Sequence, residues 1–195
     1  MNKLRIITLA LTIALPPLLQ GCLPVVAAGA GAGVLVATDR RTSGTYLEDE
    51  GIEVKTGGRI SDKYKGRVHV NITSYNRTVL LTGEVPTAEI KADIEKIAGE
   101  VTNVKSVANE VQVAAITSLS ARGNDSYITS KVKARFIDAN KFSANHVKVV
   151  TEAGTVYLLG MVTRQEADDA VEVARTTGGV IKVVKLFEYL ATAPK

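Results

Sequence analysis

Thr78-Val79-Leu80-Leu81-Thr82-Gly83-Glu84-Val85 and, 77 residues on, Thr155-Val156-Tyr157-Leu158-Leu159-Gly160-Met161-Val162 are one segment written twice. The glycines align, Glu89 falls on Glu166, and Ile94 falls on Val171. Further on, Asn103-Val104-Lys105-Ser106-Val107 meets Gly179-Val180-Ile181-Lys182-Val183 at a spacing of 76, so one position has dropped out between the two anchors. A pattern that recurs once describes a duplicated small domain, whereas a solenoid needs several copies.

Working outward, each copy reads in the same order. Val68, Val70 and Ile72 alternate, as do Val147, Val149 and Thr151, which predicts a half-buried strand before each quoted segment. Tyr75-Asn76-Arg77 and Glu152-Ala153-Gly154 supply the turns. A helix follows each quoted strand. In the second copy it opens on the capping-box pattern Thr163-Arg164-Gln165-Glu166, and in the first Pro86 stands where Thr163 does. Ile90, Ile94 and Ile97, and Ala167, Ala170, Val171 and Ala174, form the apolar stripes; Gly99 and Gly178-Gly179 close the helices. A third strand carries Val107, Val111 and Val113 in one copy and Val183, Phe187 and Tyr189 in the other. A further helix precedes each first strand. It is predicted over 47–61, weakened by Gly57-Gly58, and over 126–139, capped by Asn124 or Asp125. The order is α-β-β-α-β, twice: an α+β fold with a small three-stranded mixed sheet against two helices in each copy. Copies of about 70 residues bury barely enough surface to stand alone, which favours packing of one on the other.

The chain starts differently. Lys3 and Arg5 precede an apolar run, 6–19, broken by Thr8, Thr12 and Pro16-Pro17, the charge-then-apolar order of an export signal and too short to span a bilayer. Leu19-Gln20-Gly21-Cys22 ends it with the single cysteine and resembles a bacterial lipobox. That resemblance implies removal of 1–21, acylation of Cys22 and a firm anchor of several chains. With Cys22 acylated no thiol remains for a disulfide. Leu23, rather than an aspartate, follows the cysteine, which points to the inner leaflet of the outer membrane. The glycine-rich stretch 25–37 reads as part of a flexible tether, and its Gly29-Ala30-Gly31 lacks the strand and the following pattern of a dinucleotide loop.

The two copies, VLLTGEV and VYLLGMV each followed by an amphipathic helix and a G/N-V-x-x-V closing strand, resemble the BON domain. Two of them behind a lipobox, with Ala37-Thr38-Asp39-Arg40-Arg41 and Asn124-Asp125-Ser126-Tyr127-Ile128-Thr129-Ser130-Lys131-Val132, resemble the DolP (YraP) family of outer-membrane lipoproteins. The expected organisation is a signal peptide at 1–21, a lipid-anchored tether at 22–45, BON domains at 46–113 and 124–190, a linker at 114–123 and a tail at 191–195.

The formal charge of +4 includes Lys3 and Arg5, so the chain after the signal is nearly neutral and is no polycation for nucleic acid. His69 and His146 occupy equivalent positions and read as surface or strand-edge residues without a metal cluster, and no nucleophile with a partnered base is visible. The expectation is therefore no catalytic residue, no metal, no small-molecule substrate and no cofactor beyond the lipid on Cys22. Between Arg122 and Lys148, six basic residues face two acids. On the helix there, Ile128, Val132 and Phe136 share the core face, whereas Tyr127, Ser130, Lys131, Ala134 and Asp138 lie opposite, flanked by Lys133 and Arg135. Two readings stand. Tyr127 packs on the first domain beside a solvated charged face, or it enters a headgroup layer while the cations meet anionic lipid. The family resemblance implies the second: binding of anionic phospholipid through Tyr127, Ser130, Lys131, Lys133, Ala134 and Arg135, at a position where the family usually has tryptophan for Tyr127. It further implies support of envelope integrity, including at division sites, from a periplasm-facing, lipid-anchored position. The same resemblance carries an alternative, an adaptor for the outer-membrane protein assembly machinery.

Overall fold

In the computed structural model, which describes residues 39–192, both quoted segments are the middle strands of small sheets. The elements run α1 (Ser43–Tyr64), β1 (His69–Tyr75), β2 (Thr78–Val85), α2 (Ala88–Gly99), β3 (Ser106–Asn109), β4 (Gln112–Val113), α3 (Leu119–Ala139), a 3-10 turn (Ala144–His146), β5 (Lys148–Glu152), β6 (Thr155–Val162), α4 (Arg164–Arg175) and β7 (Lys182–Tyr189). Each hairpin is antiparallel, and the strand after the second helix returns parallel to the middle strand. The α-β-β-α-β order therefore stands, with one difference. The third strand of the first repeat is interrupted: Val111 leaves the ladder to bury its side chain completely, and pairing with β2 resumes at Gln112. Cys22, the signal segment and the glycine-rich stretch lie outside the described residues.

The middle strands are almost wholly apolar because both of their faces are covered. Val79, Leu81 and Val85 enter a core with Ile52, Ile60 and Ile94 of the same repeat; Val156, Leu158 and Val162 do so with Ile128, Val132 and Phe136. The alternate side chains, Leu80 of β2 and Tyr157 and Leu159 of β6, join Tyr75 in a third core where the two sheets meet. Polar bonds seal this seam. Asn71 and Thr82 donate to the Glu152 carboxylate at 2.8 and 3.1 Å, Asn76 and Lys105 donate to Glu188 at 2.7 and 3.1 Å, and Lys148 pairs with Glu53 at 3.0 Å. The two repeats thus share one compact body.

The shared glycine has a steric cause. A Cβ at Gly83 would strike the carbonyl of His69, one at Gly160 the carbonyl of His146, and Gly83 also sits at a φ of +109°. Only glycine lets the middle strand approach the backbone at or just before the first strand this closely.

Three helix starts differ from the sequence reading. Ser118, not Asn124 or Asp125, caps α3 by accepting from the amide of Ala121, so the expected linker is helical from Leu119 onward. Thr87 rather than Pro86 caps α2, through the amide of Ile90. Thr42 caps α1, which runs through Gly57-Gly58 unbroken because Ile52, Thr56, Ile60 and Tyr64 bury one continuous stripe. The capping box at Thr163 and Glu166 is present as read. Residues 39–41, expected at the end of the tether, are held by ion pairs of Arg40 to Glu166 and of Arg41 to Asp39 and Asp49.

Candidate functional site

Helix α3 is positioned by its inner stripe. Ile128, Val132 and Phe136 are fully buried, and the Phe136 ring meets Phe142 edge-on at 5.0 Å between centroids. Asp125 points inward too. Its carboxylate accepts from the amides of Ala153 and Gly154, both at 2.9 Å, and so holds the β5–β6 turn to the helix.

This leaves the opposite side to solvent. Tyr127 is 62% exposed, so it does not pack into the first repeat. The Lys131 ammonium stands over its ring at 4.6 Å and also donates to the carbonyl of Gly178. Ser130, Lys133 and Ala134 are exposed on the same side, the Ser130 hydroxyl donating back to Ser126 within the helix. Arg135 is placed differently. Its guanidinium turns to the end of α4, donating to the carbonyl of Val173 and to the hydroxyls of Thr176 and Thr177. It neutralises a helix C-terminus and is thereby held away from the Tyr127 ring. Among the described residues, Lys131, Lys133 and Arg135 form no ion pair, whereas Lys141 and Lys148 are paired with Asp169 and Glu53.

Two apolar side chains add to this surface. Ile137, 67% exposed, lies a turn from Lys133, and Ile181, 82% exposed, stands on the loop whose Gly179 packs against Ile128. Ile137 was legible as the i+3 neighbour of Ala134 and i+4 neighbour of Lys133; Ile181 was not, since only the fold brings that loop beside α3.

The histidines agree with the sequence reading in part: His69 opens β1, an edge strand, whereas His146 lies in the 3-10 turn before β5. Neither is an exposed surface residue. The His146 imidazole lies 3.5 Å from Glu166, and burial together with the nearby Arg40 charge lowers its pKa. His69 pairs with Glu84 at 2.9 Å, and Glu152 completes a group of three potential metal ligands, where no such cluster was expected.

The BON domain family matches residues 48–115 and 124–191. Outer membrane lipoprotein DolP of Haemophilus influenzae is 38% identical over 184 residues, 93% of this chain and 95% of that protein. The chain belongs to the DolP family of dual-BON outer-membrane lipoproteins. It is also similar to a 21 kDa hemolysin of Actinobacillus pleuropneumoniae, 32% identical over 78% of this chain and 79% of that one. Osmotically-inducible protein Y of Escherichia coli is 28% identical, with 78% of each chain covered. No helix among the described residues is long and apolar enough to cross a membrane.

Proposed function

We propose that this family member is a non-enzymatic lipoprotein, held in the outer membrane by acyl chains on Cys22 and facing the periplasm, that binds anionic phospholipid through the outward side of α3. In this reading it supports envelope integrity, including at division sites. The observation that carries it is the Tyr127 ring, exposed on the outward side of α3 with Lys131 stacked on it. An amphipathic ring at the headgroup level with cations beside it is the usual composition of an interfacial contact. Lys131 and Lys133 each contribute about 1 kcal/mol near an anionic surface, weak alone but sufficient on a protein already tethered. Arg135 serves the helix pair before it serves the lipid.

The test is flotation of the chain from Leu23 onward, without its anchor, on phosphatidylglycerol and on zwitterionic vesicles. Flotation on the anionic vesicles alone, lost in Tyr127→Glu, is the expected result. If the wild type fails to float, intrinsic lipid recognition is wrong and the adaptor role becomes the better reading.

A further inference from the structure

We infer that His69, Glu84 and Glu152 form a site for a divalent transition-metal ion that clamps the two BON repeats together. One ligand atom from each lies within 4.8 Å of the others. Ligands around a tetrahedral zinc ion stand about 3.4 Å apart, so small side-chain rotations close the site. One imidazole and two carboxylates with a further position open suit zinc or a neighbouring first-row ion.

The charge balance points the same way. Glu84 and Glu152 are 3% and 5% exposed. Among the described residues no lysine or arginine nitrogen lies within ion-pair distance of either, and His69, beside Glu84, is the one group that does. Two buried carboxylates without a full countercharge are costly, and a dication between them removes that cost. The carboxylates are also held from behind, as ligands are in metal sites. Thr117 donates to Glu84 through its amide and its hydroxyl, both at 3.2 Å, while Asn71 and Thr82 hold Glu152.

The site belongs to the docked pair of repeats. His69 and Glu84 face each other across β1 and β2, whereas Glu152 ends β5. Met161 stands in the second repeat where Glu84 stands in the first, so the site is not a duplicated one. A cleft of about 400 Å³ bordered by His69, Glu152 and Arg122 gives an ion access. Arg122, whose Nε is buried without a hydrogen bond, is the competing cation there.

Because the ligands come from both repeats, the ion binds the docked state and stabilises it by mass action. The experiment uses the full chain in detergent micelles, stripped with chelator and titrated with zinc chloride. The chain has two histidines, so their imidazole NMR signals report the site directly. One equivalent of zinc is expected to shift the His69 signals and leave those of His146 in place. The unfolding midpoint should rise by several degrees, and cobalt should give visible ligand-field absorption. Glu152→Gln keeps an acceptor for Asn71 and Thr82 and should weaken binding at least tenfold; Arg122→Gln should bind as well as the wild type or more tightly. An unperturbed His69 at one equivalent overturns the site, and so does equal binding by Glu152→Gln. The wild-type NMR result stands whether or not the variants fold.

Discussion

At the scale of single residues, two buried aspartates hold the hairpins. Asp49 accepts from the amides of Asn76 and Arg77 at 2.8 and 2.7 Å, from the Ser74 hydroxyl at 2.6 Å and from Arg41. Asp125 does the same for Ala153 and Gly154. All four turn residues have positive φ, as a two-residue hairpin of this hand requires, and in Arg77 and Ala153 that conformation is uphill without help. Asp125→Ala leaves both amides without their acceptor and should cost about 2–3 kcal/mol in urea unfolding, while Asp125→Asn should recover part of it. An Asp125→Ala variant as stable as the wild type would mean that the carboxylate is incidental. Burial pushes the Asp49 carboxyl up, but the bonds from Ser74, Arg77, Arg41 and Asn76 prevail and hold it below its ordinary value of 3.8. Its contribution is therefore complete above that value and fades as the pH falls below it. The pairing was legible in part. Asp49 and Asp125 stand 76 apart, within one residue of the repeat spacing, but an acid near a predicted helix start also reads as a cap, as Asp125 does beside Asn124.

At the scale of elements, strand limits were easier to read than helix limits. Both middle strands coincide with the quoted segments, since a steric glycine and two-sided burial leave little freedom of register. Helix starts are set by a single side chain, and Ser118 in a run of small polar residues is no stronger a cap signal than Asn124. The outward side of α3 was legible because its inner stripe was; the diversion of Arg135 to α4 was not, since it depends on where α4 ends. In α1 the Gly57-Gly58 pair weakened the prediction, yet packing of the buried stripe overrides local propensity there. Gly58 itself is exposed, and a Cβ added to it meets nothing within 4 Å. Gly58→Ala should therefore raise stability by about 0.5–1 kcal/mol through lost freedom of the unfolded chain, read as a higher urea midpoint at unchanged slope. A fall in the midpoint would show that the glycine has a role in the folded protein.

At the scale of the whole molecule, docking of the repeats is legible in their size, since copies of about 70 residues bury barely enough surface to stand alone. The strap at residues 39–41 is not. Its function becomes visible only when Arg40 is seen to reach the second repeat, donating to the carbonyl of Met161 at 2.7 Å and to both oxygens of Glu166 at 2.7 and 2.8 Å. Arg41 binds the first repeat at Asp49 and lies over Tyr75 at 4.1 Å. Adjacent residues thus tie this strap to both halves. Arg40 first, then the Thr163 amide, hold the Glu166 carboxyl down at about 2. A carboxylate depressed in this way contributes stability that is fully present above its ordinary value of 4.5 and is lost as the pH falls toward 2. Arg40→Met removes the bidentate pair but leaves the capping box, so Glu166 should titrate higher, though still below 4.5. Loss of the Arg40 charge should also raise the pKa of His146, which then pairs with Glu166 in mild acid and offsets part of the damage. Urea unfolding of both proteins at pH 7, 4.5 and 2.5 reads these effects together. The variant should be less stable at pH 7 by about 1–3 kcal/mol, with a gap that narrows at each step into acid. A gap that stays constant with pH would assign the strap's contribution to the Arg40 contact with Met161 and to packing, leaving the Glu166 pair without net effect.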